Sequence, residues 1–210
     1  MKKSVWVALI LWLAAVGLSI WSYGDLPEQV PSHWGPGGEV DDYSSKEFAV
    51  LFIPGLMVGL FLLIRVLPKI DPRKSNYPKF QGSLHVTMNA VLLMLLAVHG
   101  TVLATGLGYD IPIKMVIFAM LGLMFMALGN VMPRFKHNYM VGIRTPWTLA
   151  DEKVWTRTHL VGGKIFMVGG ALLLVGAFLP LAEQVLVMLV LIAAIPVSTV
   201  LLSFYYFKRG

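Results

Sequence analysis

The sequence contains no cysteine. That excludes disulfides, thiolate metal and iron–sulfur centres, a cysteine nucleophile and palmitoylation. Charge is also scarce: 13% of the 210 residues are charged and 57% are hydrophobic, and mean hydropathy is +0.75. Soluble domains hold about 25% charged residues, so a soluble protein is excluded in favour of one that lives in a bilayer. H-E-x-x-H, Walker and G-x-S-x-G motifs are absent, and no serine is placed beside a base by a recognisable pattern. The chain reads as a non-enzyme, without a catalytic residue, cofactor or metal.

What it has in quantity is long apolar runs. A helix crosses about 30 Å of hydrocarbon with about 20 apolar residues. Six stretches meet that length: Ser4 to Tyr23, Phe48 to Leu67, Leu84 to Leu107, Ile111 to Met132, Gly162 to Leu181 and Gln184 to Phe207. Met1-Lys2-Lys3 before the first run resembles a secretory leader, but the run is longer than a leader needs and lacks a small-x-small cleavage site; it is expected to be a retained helix. With the N-terminus inside, fifteen of the 17 lysines and arginines fall on the inner side and only Lys46 and Lys114 on the outer. Short loops rich in Lys and Arg stay cytoplasmic, so the expected topology is N-in and C-in. The formal charge of +6 is then mostly an orientation signal and not a nucleic-acid footprint. The expected fold is an all-α integral membrane protein of six transmembrane helices, with a cytoplasmic interfacial helix between helices 4 and 5. Residues 1–107 form an N-terminal membrane half with the outer loop 24–47, and residues 108–210 a C-terminal half with the inner loop 133–161.

In the outer loop Pro27 and Pro31 extend the chain and Gly35-Pro36-Gly37-Gly38 must turn it. His33 and Trp34 are thereby presented beside acids. One reading is ligand recognition, with Trp34 and Tyr43 as anchors and Glu28, Glu39, Asp41 and Asp42 drawing a cation or basic peptide. The bland alternative is an interfacial aromatic belt with solvated acids. A metal site from His33 with Glu39 or Asp42 lacks the His pair at helical spacing that would strengthen it.

The third span carries His85, Asn89 and His99 on one helix face; Asn130 adds a fourth intramembrane polar group near the end of the next span. Polar groups at this depth serve interhelical hydrogen bonds or a proton or substrate path. His85 and His99, 14 residues apart, are separated by roughly 21 Å along the axis and cannot share a metal. Gly55 and Gly59 form a G-x-x-x-G pair, and Gly169, Gly170 and Gly176 a small-residue surface, both expected to mark close helix packing.

The inner loop holds the densest pattern. Thr148 and Asp151 form a capping-box variant that predicts a helix starting near Leu149, which either breaks at Gly162-Gly163 or feeds the fifth span. Asp151, Trp155 and His159 share one face of it, and Lys153 and Arg157 lie on the other. Trp147 and Trp155 suit an interfacial anchor; a platform for a cytoplasmic protein is the sharper reading, and the two are compatible.

The run Asn138-Tyr139-Met140-Val141-Gly142-Ile143-Arg144-Thr145-Pro146-Trp147-Thr148-Leu149, followed by Val154-Trp155-Thr156-Arg157-Thr158-His159, resembles the signature of the SdpI-type bacterial immunity protein family. Leu26-Pro27, Pro31-Ser32-His33-Trp34 and Gly38 to Tyr43 resemble the N-terminal domain of unassigned function that accompanies it. The resemblance implies a multi-pass protein of the bacterial plasma membrane that protects against a secreted antimicrobial peptide toxin; the outer-loop reading offers His33, Trp34, Glu39, Asp42 and Tyr43 as the residues that would bind it. It also implies capture of a cytoplasmic ArsR-like repressor, for which the inner-face candidates are Arg134, Asn138, Tyr139, Arg144, Thr145, Pro146, Trp147, Asp151, Trp155 and His159. The rival reading is a transporter or small-ligand membrane protein using the polar stripe on helix 3.

Overall fold

The computed structural model describes residues 2–35 and 37–209; Met1, Gly210 and Pro36 of the expected turn lie outside them. Helix α1 (Lys2–Ser22) leads to a hairpin of β1 (Gln29–Trp34) and β2 (Val40–Ser45), then α2 (Lys46–Ile70), a 3-10 turn at Lys74–Lys79, α3 (Gln81–Gly106) and α4 (Ile113–Val131). A second 3-10 turn at Met132–Arg134 precedes the short α5 (Pro146–Ala150), α6 (Glu152–Gly176) and α7 (Leu181–Arg209). Among the described residues six helices are long and apolar enough to cross a membrane. One end of the bundle carries the hairpin and the other the segment 135–151.

The expected all-helical architecture holds for the bundle, and the connection after α1 adds one short antiparallel pair, because Pro27, Pro31 and the β-branched Val30 and Val40 keep it extended. One expectation needs correction. The helix expected from Leu149 instead starts at Glu152, since Asp151 is itself the cap, accepting from the N–H groups of Lys153 at 2.6 Å and Val154 at 3.0 Å. Thr148 belongs to a separate capping box with Thr145 that opens α5. From Glu152 the helix continues through Gly162-Gly163 into the span without a break.

Packing explains why those glycines do not break it. A Cβ on Gly163 would lie 2.7 Å from the carbonyl oxygen of Gly129, and one on Gly170 2.6 Å from that of Gly122. The reciprocal pairs are equally close, so α4 and α6 cross antiparallel with backbone against backbone at two points seven residues apart. Gly169 and Gly176, one residue round the helix, face Ile195 and Val187 of α7, and a Cβ on Gly162 would come closest to the Ile143 side chain, with Thr199 of α7 in ordinary contact at 3.5 Å. In lipid, where burial of apolar surface gives little drive, such close van der Waals approach is what holds helices together. Gly55 and Gly59 behave otherwise: a Cβ at either would meet nothing within 4 Å. The expected packing role of that pair fails because α2 turns Met57, Ile53 and Ile64 to the bundle, leaving the glycine face outward.

The first three helices are tied by a proline. Pro54 has no N–H, so the Val50 carbonyl four residues earlier loses its helical donor. The Ser19 hydroxyl of α1 donates to it at 2.7 Å, and His99 Nε2 of α3 lies 2.9 Å from the same hydroxyl oxygen. With the only hydroxyl proton given to a carbonyl, the His99 ring must supply the N–H. Trp12 Nε1 donates to the Pro54 carbonyl at 3.2 Å.

Candidate functional site

At the hairpin end, Val30 is wholly buried and Leu26 nearly so, packed with Leu103, Ala49 and Val50. Both press on Gly106, where a Cβ would come within 2.9 Å of their methyl groups. This root fixes the hairpin on α2 and α3, and Ser45 caps α2 directly after β2. The tip projects from the root. Gly35 N–H donates to the Glu39 carbonyl at 2.9 Å, Gly38 N–H to the Gly35 carbonyl at 3.0 Å, and Gly38 adopts φ +95°, which an L side chain rarely tolerates. His33 Nδ1 lies 2.6 Å from the Asp41 carboxylate, with 69% of the His33 side chain exposed. Glu39 and Asp42 are exposed, Tyr43 is 53% exposed and Trp34 half-buried. The acid paired with His33 is thus Asp41 and not Glu39 or Asp42, and among the described residues no group of three His, Asp or Glu is placed to hold a metal ion.

At the opposite end, segment 135–151 folds onto the bundle around buried polar groups. Asn138, fully buried, accepts on Oδ1 from the N–H groups of Met140 and Val141 and donates from Nδ2 to the carbonyls of Lys136 and Val141, between 2.7 and 3.0 Å. Asp71, the C-cap of α2, is also buried; it accepts from Arg73 N–H at 2.7 Å, and from Tyr77 Oη–H and Tyr139 N–H at 2.9 Å each. Burial first, and then the bond to Asp71, raises the Tyr77 pKa well above the usual phenol range, so the hydroxyl keeps the proton it donates. Arg73 lies over the Tyr139 ring and its guanidinium donates to His137 Nδ1.

Trp155 sits at the centre, 1% exposed, its indole N–H donating to the Phe135 carbonyl at 2.9 Å. His159 stacks on it with ring centres 4.0 Å apart, and His137 at 5.1 Å. The backbone sets the His159 tautomer: Nδ1 faces the Trp155 carbonyl at 2.8 Å and must carry the proton, while Nε2 accepts from Ile143 N–H at 3.0 Å. Gly142, at φ +119°, passes against this imidazole, where a Cβ would collide. Thr145 donates to Ser203 of α7 at 2.9 Å, and Trp147 packs on Phe204, so the segment is fastened to α6 and α7 as well as to the α2–α3 connection. Asp151 is held below the usual carboxylate range by the N–H groups it caps.

The face of Asp151, Trp155 and His159 therefore turns inward from the cap down. Asn138 and Thr145 are buried with it, and Arg134, Tyr139, Arg144 and Pro146 remain exposed, together with Lys153 and Arg157. Asn130 is exposed on α4 and joins none of these networks. The polar stripe of α3 is divided among separate partners: His99 bonds Ser19, Asn89 Nδ2 reaches the Ser4 carbonyl at 3.4 Å, and His85 lines a groove described below. Sequence reasoning passed over Asp71, Tyr77 and His137. The available signal was Asp71 itself, the single acid of the basic stretch from Pro68 to Ser83, placed directly before Pro72.

His137 gives this region a pH dependence. Burial, and then the Arg73 charge, lowers its pKa below the ordinary 6.5. The opened segment takes up a proton that the closed one resists, so closure is fully stable above about pH 6.5 and weakens as pH falls through that value toward the depressed one. Cleavage by trypsin at Lys136 and Arg144 is expected to quicken on going from pH 7.5 to 5.5 relative to a His137→Gln variant assayed at each pH. Parallel rates in the two proteins would refute this.

Residues 134–205 match the SdpI/YfhL protein family, and residues 10–58 a domain of unknown function, DUF1648. Over 209 residues, covering 100% of this chain and 98% of the relative, the sequence is 30% identical to the immunity protein SdpI of Bacillus subtilis (strain 168). No solved structure matches. Six membrane-length helices and this relationship make it a multi-pass bacterial membrane protein. The segment built around Trp155 lies within the matched region, and by this match and the full-length relationship the chain belongs to the SdpI/YfhL protein family.

Proposed function

We propose that the protein is a non-enzymatic immunity protein of the bacterial plasma membrane that protects the cell from a secreted antimicrobial peptide. The observation that carries this reading is the full-length similarity to a protein named as an immunity protein. The distribution of lysine and arginine supports an orientation with both termini and segment 135–151 in the cytoplasm and the hairpin outside. The toxin then meets the hairpin, where His33, Trp34, Glu39, Asp42 and Tyr43 offer aromatic surface and negative charge on a rigid root. Residues 1–107 form the recognition half and residues 108–210 the half that reports inward.

On the cytoplasmic side α5, with Trp147, lies at the membrane interface. Arg134, Tyr139, Arg144 and Pro146 form the surface against which an ArsR-like repressor docks, while Asn138, Thr145, Asp151, Trp155 and His159 set its shape from beneath. Toxin binding shifts the repressor equilibrium only if the toxin prefers one arrangement of the helices.

The test is survival of a sensitive bacterium producing the protein and challenged with secreted peptides, with wild type compared against a His33→Ala, Trp34→Ala variant at matched membrane levels. Wild-type protection is expected, with at least a roughly tenfold loss in the variant, as removal of central aromatic anchors gives. Protection that survives the double substitution would move recognition away from the hairpin; no wild-type protection against any peptide would remove the immunity reading.

A further inference from the structure

At the end of the bundle that bears segment 135–151, α1, α2 and α3 leave between them a groove of about 740 Å³. Its apolar lining comes from Val5, Trp6, Ile64 and Leu84, and its cations are Arg65 and Lys69 of α2 and Lys74 of the following 3-10 turn, all three exposed. Arg65 is steadied over the Phe61 ring at 4.9 Å. No acid is among the described residues that line it. Asp71, the acid of this segment, directs its carboxylate to Arg73 N–H, Tyr77 and Tyr139 N–H and makes no ion pair with the three cations.

A second feature adds to the field. Helix α3 starts at the edge of the groove, where Gln81 lines it, and its N-cap is Phe80, which makes no side-chain capping bond. The first N–H groups of a 26-residue helix thus keep their partial positive charge beside the lysines. His85 lines the same groove, and its ring makes no hydrogen bond to a described residue.

Cations at the end of membrane-length helices, next to an apolar trough leading along those helices, match one kind of molecule. A free phosphate would answer the charge and leave the lining of Val5, Trp6 and Ile64 uncovered; a neutral lipid would answer the lining and leave three cations unpaired. We propose that this groove binds one anionic phospholipid, its phosphate held by Arg65, Lys69 and Lys74 and an acyl chain laid along Val5, Trp6 and Ile64.

Native mass spectrometry of the full chain in detergent tests this with phosphatidylglycerol and phosphatidylcholine of identical acyl chains. The wild type is expected to retain one phosphatidylglycerol in preference. An Arg65→Gln, Lys69→Gln, Lys74→Gln variant should bind it at least roughly tenfold more weakly, since each basic group near a lipid surface contributes appreciably. A Lys153→Gln, Arg157→Gln, Lys164→Gln variant, with the same loss of charge on α6, should bind as the wild type does. Equal retention of the two lipids, or equal loss in the two triple variants, would overturn the site in favour of general attraction. Displacement of phosphatidylglycerol by millimolar inorganic phosphate would assign it to free anions instead. Should the first triple variant melt below the wild type without lipid, Lys74→Gln alone carries the test, because Lys74 lies outside the membrane helices.

Discussion

Replacing Gly163 and Gly170 together by valine is expected to separate α4 from α6 and to leave little folded protein in the membrane. Each new Cβ would meet a backbone carbonyl oxygen of α4 at 2.7 or 2.6 Å, and a backbone atom cannot rotate away as a side-chain tip can. Overpacking of one well-packed site costs typically about 1–3 kcal/mol; two sites on one helix face, sharing one partner, push the axes apart jointly. The control is Gly55→Val with Gly59→Val, the same chemistry on α2 where nothing stands within 4 Å. That pair should change stability by no more than about 0.5 kcal/mol. Thermal unfolding in detergent, read alongside membrane levels of the full-length protein, gives the comparison. Similar losses in both variants would mean that the α4–α6 crossing does not hold the bundle.

Trp155→Ala is expected to open segment 135–151 while the six long helices persist. The indole is 1% exposed, and two imidazoles stack on it. Removing a buried tryptophan costs about 3–5 kcal/mol, and here the Phe135 carbonyl also loses its donor. Trp155→Phe keeps a ring for His137 and His159 but leaves the buried Phe135 carbonyl without a donor, so about 1–3 kcal/mol is expected. Trypsin should cut at Lys136 and Arg144 rapidly in the alanine variant, slowly in the phenylalanine variant and more slowly still in the wild type, with helical circular dichroism unchanged throughout. An alanine variant as resistant as the wild type would show that the Asn138 and Asp71 networks close the segment unaided.

The contrast between the two glycine sets also shows what could be read from sequence. Six spans follow from hydropathy alone, because the bilayer sets their length. Which face of a span meets a neighbour does not, since lipid and helix interior accept the same apolar residues; Gly55 and Gly59 are spaced as well as any packing motif and face outward. The informative spacing was instead the recurrence of Gly162-Gly163 as Gly169-Gly170 seven residues on, which serves α7 and α4 at once. In the candidate site, the role of His99 as an interhelical hydrogen-bonding group was within reach of the sequence, but its partner was not: the acceptor exists because Pro54 frees a carbonyl on another helix. Trp155 and His159 were recognised as sharing a face, yet periodicity cannot say whether a face at a membrane surface looks inward or outward. Asp71 escaped notice because its three donors come from segments up to 68 residues away.

The unbroken course of α6 has a mechanical consequence. One end of this helix holds Trp155 and His159, the other reaches Gly176, and 25 residues of continuous hydrogen bonding join them, a rod of about 37 Å. Such a rod has no joint at which movement could be absorbed. A displacement applied near Gly176 would be carried along the helix to its first turns, and there the His159 imidazole accepts from the Ile143 N–H, so that segment 135–151 would move with it.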